Sequence, residues 1–364
     1  MGTRRTGRAD HPDPRFGPPP IGSVLGSTGM TREGQGALRK WGGTVGILFI
    51  AFVAATVFGQ FRGSVYTTST TIGIYALLAL PLGLLYGQGG TVSLAQGAFA
   101  AIGGYTTAIL STRYGVPPLL SLIPAVLMPA VVAFLIAKPI LRLPELSLAL
   151  VTLSIGTVVE VALQRGGDFT GSFIGINGIP TLPFIGNSRI GSHFAVWAIV
   201  LLVVIAYVNF MSSLRGRALN AVRTDHLLAQ AMGVNVAFDL AMLFSITAGV
   251  AGLGGWFYAH TLGYVAPDSL SIALSANVLF MVVVGGRKSV LGPIVGAVFF
   301  TLASDLLPGT ESQGIFFGAL LILVLLFSPD GLLTLRPFGR RRRASPEALQ
   351  KPTDKARATP AGAV

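Results

Sequence analysis

The chain has 364 residues, of which 52% are hydrophobic and only 11% are charged, and its mean hydropathy is +0.70. Soluble domains carry about 25% charged residues, so this chain cannot cover a water-facing surface and is predicted to be an all-α integral membrane protein. The net charge of +12 does not indicate nucleic-acid binding, because the basic residues flank the apolar body and form no patch with interleaved aromatic residues. The absence of cysteine excludes disulfides and cysteine-ligated metals, and the four scattered histidines have no metal-ligand spacing.

The two ends of the chain differ from its middle. Residues 1–43 are polar, basic and rich in Gly and Pro, and they lack the short basic stretch and apolar core of a cleavable signal. Residues 329–364 are also basic. We predict that both ends are disordered cytoplasmic tails and that residues 44–328 form a transmembrane domain.

Ten apolar runs lie between the tails, and most approach the roughly 20 residues needed to cross a bilayer. In chain order they cover 44–61, 70–86, 94–112, 119–137, 146–164, 194–211, 238–259, 273–284, 291–304 and 315–327. Two of the runs are short and interrupted by Gly or Pro, which is typical of broken or re-entrant helices surrounded by protein or a water-filled cavity. The sequence predicts about ten transmembrane helices, within a range of eight to ten.

The distribution of Lys and Arg predicts the topology. With the N-terminus inside and ten spans, 22 of the 26 basic residues lie in cytoplasmic segments, as the positive-inside rule requires. Both termini are therefore predicted to be cytoplasmic. Residues 212–236 are then the only sizeable cytoplasmic segment between spans, and residues 165–193 form an extracytoplasmic loop rich in turn residues.

A weak internal similarity links two Gly-rich segments. Residues 89–94 read Gly-Gly-Thr-Val-Ser-Leu, and residues 285–290 read Gly-Gly-Arg-Lys-Ser-Val. Two similar halves related by an axis along the membrane normal would produce such a pair. A chance match between Gly-rich segments is the alternative. Small residues at Ala248, Ala251, Gly252 and Gly255, and again at Gly292 and Gly296, predict close packing between helices.

The cytoplasmic segment contains a predicted amphipathic helix over residues 225–232. Thr224 is a suitable N-cap, Gly233 is a suitable C-terminal stop, and Leu228, Ala231 and Met232 share one face. Two interpretations remain open on physical grounds. The helix is either a docking element for a soluble partner or an interfacial helix lying on lipid.

Polar residues within the apolar runs suggest a translocation path. Glu160 is the one acid well inside a run, where an ionised group costs about 2.5–3.5 kcal/mol on insertion scales. It either contacts a substrate ammonium or a gating partner, or lies close enough to the outer surface to be hydrated. Ser93 and Gln96 either line a path or join helices by hydrogen bonds. The candidate path residues are Ser93, Gln96, Gly97, Glu160 and Asn177.

Four blocks of sequence occur in order along the chain, at residues 93–99 with 103–105, 148–153, 216–235 and 285–297. Together, over about residues 70–330, they resemble the branched-chain amino-acid ABC transporter permease family. The chain departs from the family pattern in three respects. Thr157 follows Gly156 where relatives often have Gly-Glu, the 165–193 loop is longer, and Arg287 and Lys288 replace small or apolar residues. These departures leave the identity of the solute in doubt.

The resemblance implies a permease subunit of an ATP-driven importer in the bacterial inner membrane. It implies partners as well: a second permease, two ABC ATPase subunits and an extracytoplasmic solute-binding protein. The cargo would be a branched-chain amino acid or another small polar solute, such as other amino acids, amides or urea. Residues implied to contact the ATPase are Arg217, Arg223, Asp225, Leu228, Ala231, Met232 and Gly233.

No enzymatic activity is expected of this chain. It has no Gly-x-x-x-x-Gly-Lys-Ser/Thr stretch, so ATP is expected to be used by a partner subunit, and no cofactor or metal is expected here. Two rival interpretations remain. A stand-alone secondary transporter or channel would favour intramembrane acids for ion coupling, and a membrane-embedded enzyme would require clustered polar catalytic residues.

Overall fold

The computed structural model describes residues 63–182, 188–224, 226–231, 233–287, 289–306 and 310–327. The contacts reported below lie within residues 67–364, which form one of two units in the chain. The first helices are α1 (Gly63–Gly89), α2 (Gln96–Arg113), α3 (Pro118–Ile140), α4 (Glu145–Arg165) and α5 (Arg189–Ser212). The later helices are α6 (Leu214–Thr224), α7 (His226–Ala231), α8 (Val236–Leu262), α9 (Ile272–Gly285), α10 (Gly292–Leu306) and α11 (Thr310–Phe327).

The helices follow the apolar runs predicted from sequence. All the predicted runs from residue 70 onward lie largely within helices, and the run at 44–61 lies outside the described residues. Among the described residues, six helices are suited by length and composition to cross a membrane: α1, α3, α4, α5, α8 and the segment Pro267–Gly285 that contains α9. The helices α10 and α11 contain shorter apolar stretches. The mainly helical membrane fold is thus confirmed, while the number of spans and the cytoplasmic termini stay predictions.

Close backbone contact holds α2, α3 and α8 together. A Cβ atom at Gly103 would collide with the backbone of Gly252, and one at Gly255 would collide with the carbonyl of Ala100. Gly252 lies equally close to the carbonyl of Ala125 in α3. Since lipid offers no hydrophobic drive for helix association, such short-range packing stabilises membrane helices. The predicted small-residue packing face of α8 is confirmed.

The helix α2 is more polar than its neighbours because it is enclosed by them. It contains Gly, Thr and Ser, and it is not among the six described helices that are long and apolar enough to cross a membrane. Most of its length is buried, including Phe99, Tyr105 and Thr107. A helix surrounded by protein needs no apolar surface on every side, so composition alone underestimates it.

Two links of similar sequence break the helical path after α1 and after α9. Residues 90–95 join α1 to α2, and residues 286–291 join α9 to α10. Gly90 and Gly286 begin the two links with positive φ angles of 65° and 112°, a conformation that favours glycine. This shared placement supports the internal repeat predicted from residues 89–94 and 285–290. The second link packs on α1, where the Arg287 guanidinium donates a hydrogen bond to the Tyr86 hydroxyl at 2.7 Å.

A short antiparallel pair of strands joins the predicted extracytoplasmic loop to a distant part of the chain. The strand β1 (Ile176–Asn177) pairs antiparallel with β2 (Tyr264–Val265), and Asn177 lies opposite Tyr264. The turn residues of this loop adopt the expected conformations, since Gly171, Gly175 and Gly178 have positive φ. The pairing joins the 165–193 loop to the segment that precedes α9.

We predict opposite effects of one substitution at two helical glycines. Gly103→Ala places a methyl group against the backbone of Gly252 and should lower stability by about 1–3 kcal/mol, the usual cost of overpacking. Gly318→Ala adds a methyl group where nothing lies within 4 Å, and should raise stability by up to about 1 kcal/mol through helix propensity. Thermal unfolding in detergent measures both effects, and equal midpoints would contradict the packing assignment.

Candidate functional site

Two helices begin against each other inside the helical body. The backbone N–H of Gly97, in the first turn of α2, donates a hydrogen bond to the Ser275 hydroxyl at 2.8 Å. Ser275 is in the first turn of α9, and Gly97 lies so close to the Ser271 carbonyl that a Cβ atom would not fit. The N-terminal ends of α2 and α9 therefore meet, although 178 residues separate the bonded pair in sequence.

One stripe of α4 supports both helix starts. The Thr152 hydroxyl accepts a hydrogen bond from the Leu94 N–H at 3.0 Å, just before α2 begins. The Glu160 carboxylate accepts one from the N–H of Ile272, the first residue of α9, at 3.3 Å. These two positions are eight residues apart, or about 12 Å along the helix axis. Gly156 lies between them, and a Cβ atom there would be 3.3 Å from the Ile272 side chain.

These contacts satisfy backbone groups that the broken helices leave free. The first N–H groups of a helix have no partner within the helix, and in an apolar surrounding each unpaired group is costly. Thr152, Ser275 and Glu160 supply acceptors from neighbouring helices. The negative charge of Glu160 also suits the positive end of α9. Glu160 thus has a capping contact that its sequence position did not predict.

Gln96 is the polar side chain at this junction that has no partner. It is the first residue of α2 and is only 1% exposed. Within the described part of the chain, neither its amide nitrogen nor its amide oxygen has a hydrogen-bond partner. Leaving a buried amide unpaired costs about 1–3 kcal/mol, and such groups in native proteins call for a bound molecule or a functional reason. The neighbouring Ser93 is also 1% exposed, and its hydroxyl lies 3.4 Å from the Ala95 N–H.

The structure brings four of the five predicted path residues to this junction. Ser93, Gln96 and Gly97 lie at the start of α2, and Glu160 reaches the same region through α9. Asn177 is an exposed residue of β1 and belongs to the pairing with Tyr264 instead. Thr152, Ser271 and Ser275 were not predicted to lie at this junction. Hydroxyl side chains within or beside apolar runs could have marked them as candidates, but their partners lie far away in sequence.

The junction can receive a polar or anionic group. Two helix starts direct their positive ends towards it, and the amide of Gln96 offers both a donor and an acceptor. Further along α2, the Tyr105 hydroxyl is also buried without a partner among the described residues. Two buried polar side chains of α2 thus lack partners in the described part of the chain.

The predicted cytoplasmic segment contains two helices, of which one was predicted. The helix α7 matches the predicted 225–232, whereas α6 was not predicted. The stop at Gly233 is confirmed, with φ at 85°, its N–H bonded to the Gln230 carbonyl at 2.9 Å and the Val234 N–H bonded to the Ala229 carbonyl at 3.1 Å.

The contact residues predicted in this segment are only partly described. Ala231 and Arg217 are both exposed. Asp225 and Met232 lie outside the described residues, as do the side chains of Arg223 and Leu228. Their assignment as a contact surface stays a prediction.

The matching family model and the matching relatives agree on one protein family. Residues 64–325 match the family model described as branched-chain amino acid transport system, permease component. The chain is 32% identical to the high-affinity branched-chain amino acid transport system permease protein LivM of Escherichia coli (strain K12), over 79% of this chain and 74% of that protein. It is 25% identical to the permease protein LivH of Salmonella typhimurium, over 76% of this chain and 96% of that protein.

More distant similarity reaches a transporter with a different cargo. The fructose import permease protein FrcC of Rhizobium meliloti is 26% identical, over 66% of this chain and 70% of that protein. No solved structure matches the chain significantly. Permeases with unlike cargo therefore share much of this sequence pattern.

We predict that the same substitution, Thr to Val, has different effects on stability at two positions of α4. Thr152→Val leaves the Leu94 N–H without its acceptor and should lower stability by about 1–3 kcal/mol. Thr157→Val is the matched control, because its exposed hydroxyl bonds only the Leu153 carbonyl of its own helix, and its effect should stay within about 0.5 kcal/mol. Unfolding midpoints of the purified variants measure the difference. A Thr152→Val midpoint equal to that of Thr157→Val would refute the capping role.

Proposed function

This chain belongs to the permease component family of branched-chain amino acid transport systems, and from that premise we propose that it carries a branched-chain amino acid or a related small polar solute across the bacterial inner membrane. It is a multi-pass membrane protein and the permease subunit of an ABC importer. We further propose that ATP is bound and hydrolysed by partner subunits and that this chain binds no cofactor, because its sequence has no P-loop.

We base the proposed solute path on the Gln96 side-chain amide, which is unpaired among the described residues and lies where the first turns of α2 and α9 meet. An amino acid has a carboxylate and an ammonium that both need partners when water is removed. The positive end of α2 suits the carboxylate, as in transporters whose broken helices point at anionic groups of the substrate. The amide of Gln96 is both donor and acceptor, so it pairs with either group.

The other path residues have distinct roles in this proposal. Ser93 borders the path beside Gln96, and Gly97 allows α9 to approach because it has no side chain. Glu160 positions α9 by capping Ile272 and is not assigned to the solute. Asn177 is proposed to act at the outer surface, in the loop where a solute-binding protein would dock.

We propose that four kinds of partner complete the importer. A second permease packs beside this one, two ABC ATPase subunits bind from the cytoplasm, and an extracytoplasmic solute-binding protein docks chiefly on residues 165–193. The helices α6 and α7 contact an ATPase, and ATP-driven closure moves α7 as a lever that switches access to the path from outside to inside. The tails at 1–43 and 329–364 remain cytoplasmic in this proposal.

A stand-alone secondary transporter is the weaker alternative. Such a transporter favours an intramembrane acid that is available for ion coupling, and Glu160 is the sequence's candidate. The Glu160 carboxylate is engaged by the N–H of Ile272 and lies 3.5 Å from the Gln164 amide nitrogen. Copurification separates the two functions, since an importer permease retains an ATPase through mild detergent extraction and a stand-alone transporter does not.

We predict that Gln96→Leu separates transport from stability. The substitution replaces an unpaired buried amide with an apolar side chain of similar size, so stability should be unchanged or raised by about 1–3 kcal/mol. ATP-dependent uptake of the solute in proteoliposomes that contain the whole importer should nevertheless fall by at least about tenfold, equivalent to the loss of one good polar contact. Thr106→Val on the same helix is the control, because Thr106 bonds only the Ile102 carbonyl at 2.6 Å. Normal uptake by Gln96→Leu would remove this side chain from the path.

We predict that a charge placed on α7 uncouples the importer. Ala231→Asp puts an acid on the exposed end of α7 and should lower solute uptake per ATP hydrolysed without affecting membrane insertion. Ala237→Asp is the matched control, because Ala237 is exposed in the first turn of α8, where an acid suits the helix dipole. Uptake and phosphate release measured in the same proteoliposomes give the coupling ratio. Equal ratios for Ala231→Asp, Ala237→Asp and the unmodified importer would exclude α7 as the lever.

A further inference from the structure

We propose that a hydroxyl-lined cavity at the start of α5 binds the carboxylate of a short aliphatic solute before the solute enters the path. The cavity has a volume of about 490 Å³ and is bordered by α1, α5, the end of α8 and residues 181–182. Pockets of about 300–1,000 Å³ hold small ligands, so a free amino acid fits with accompanying water. The inference rests on the proposed function, and on the predicted topology this end of the helices faces outside the cell.

One wall of the cavity is a single face of α1. Thr67, Thr70, Thr71 and Ile74 have the i, i+3, i+4, i+7 spacing of one helix face, and all four line the cavity. These threonines lie in the Ser- and Thr-rich first part of the helix. The Thr71 hydroxyl donates to the Thr67 carbonyl at 3.1 Å, so it offers a ligand its oxygen as an acceptor. Thr181, Ser192 and Thr261 add hydroxyls from the other walls. The lining thus hydrogen-bonds both a carboxylate and an ammonium.

The opposite wall is electropositive. The Ser188 hydroxyl caps α5 by accepting the N–H of Gly191 at 2.9 Å, and Arg189 follows in the first helical turn. Helix N-termini favour acids and disfavour cations, so Arg189 adds positive charge where the helix dipole is already positive. None of the residues that line the cavity is Asp or Glu. An anionic ligand would neutralise this end, and a guanidinium pairs with a carboxylate through two parallel hydrogen bonds.

The apolar part of the cavity lining indicates what the rest of the ligand must be. Ile74, Leu182 and Leu262 contribute apolar surface to the same cavity. A ligand that uses every part of the lining has a carboxylate, a hydrogen-bonding group and a short aliphatic chain. Aliphatic amino acids have this composition, whereas sugars lack the carboxylate and amides or urea lack the charge.

His260 makes part of the wall rigid. Its Nδ1–H donates to the Pro180 carbonyl at 2.7 Å, which leaves Nε2 to accept from the Thr107 hydroxyl at 2.9 Å. The tautomer follows because a carbonyl oxygen can only accept. The imidazole also packs on the Trp256 ring, with centroids 4.9 Å apart. Residues 180–182 are thereby held against α2 and α8, so this wall exists before a ligand arrives.

Equilibrium binding to the full-length permease in lipid nanodiscs tests the proposal. The probes are L-leucine, 4-methylpentanoate, which keeps only the carboxylate, and L-leucinamide, which keeps only the ammonium. Leucine and 4-methylpentanoate should bind, and leucinamide should bind at least about tenfold more weakly, as loss of the charge-assisted pair predicts. Arg189→Gln should weaken leucine binding by a similar factor, while Arg189→Lys should keep part of the affinity.

The controls separate the cavity from general charge effects and from misfolding. Arg113→Gln removes another exposed arginine, whose guanidinium lies 5.4 Å from the Phe169 ring and does not line the cavity, and it should leave binding unchanged. Thr67→Val removes one lining hydroxyl with little change of shape and should weaken binding several-fold. Unfolding midpoints check each variant. Equal binding of leucine and leucinamide, undiminished binding by Arg189→Gln, or no binding of either carboxylate to the unmodified chain would overturn the proposal.

Uptake by the reconstituted importer distinguishes the two proposals. ATP-dependent leucine uptake whose half-saturation is the same in Arg189→Gln and in the unmodified importer would leave the importer function standing and remove the cavity. Absence of ATP-dependent uptake of any aliphatic amino acid by the unmodified importer would remove the proposed cargo, whatever the binding results. If Arg189→Gln weakened only the docking of the solute-binding protein, Arg189 would belong to a protein contact and the proposal would be wrong.

Discussion

The need to pair every backbone N–H and C=O away from water governs this fold. In lipid, an unbroken helix meets this need within itself, and a broken helix must find acceptors elsewhere. The chain breaks its helices before α2 and before α9, and it covers the exposed N–H groups with Thr152, Ser275 and Glu160 from other helices. The glycines that bring α2, α3 and α8 into backbone contact allow these helices to enclose the break. The buried amide of Gln96 has no partner among the described residues, and the proposed solute path rests on it.

Hydropathy was sufficient to locate the apolar helices from residue 70 onward, because the length and apolar character of a span are local properties. The predicted runs 119–137 and 238–259 lie inside α3 and α8 with only short extensions at their ends. The short helix α6 was missed because Arg215, Arg217 and Arg223 lower its hydropathy, although one side of it, which includes Leu219 and Val222, is buried. The stop of α7 was predictable because Gly233 favours the positive φ that ends a helix.

The sequence allowed the polar residues of the candidate site to be predicted, but not the residues that they contact. The sequence marked Ser93, Gln96 and Glu160 as unusual in apolar runs, but nothing local identifies the partner of a polar group. Glu160 bonds a residue 112 positions away, and Gly97 bonds one 178 positions away. The cavity at Arg189 was missed for the same reason, since its hydroxyls come from helices that sequence analysis treats one at a time. Asn177 was predicted as a path residue, and its pairing with Tyr264 places it in the loop instead.

The glycine contacts among α2, α3 and α8 also have a mechanical consequence. Backbones in direct contact cannot slide without overlap, so these three helices are expected to move as one rigid group. The helix α5 contacts α8 only sparsely, and it continues almost directly into α6 and α7 on the cytoplasmic side of the predicted topology. If α7 acts as the proposed lever, its displacement reaches α5 through α6. The boundary between α5 and the rigid group, which passes the cavity at Arg189, is then the place where we expect the protein to open.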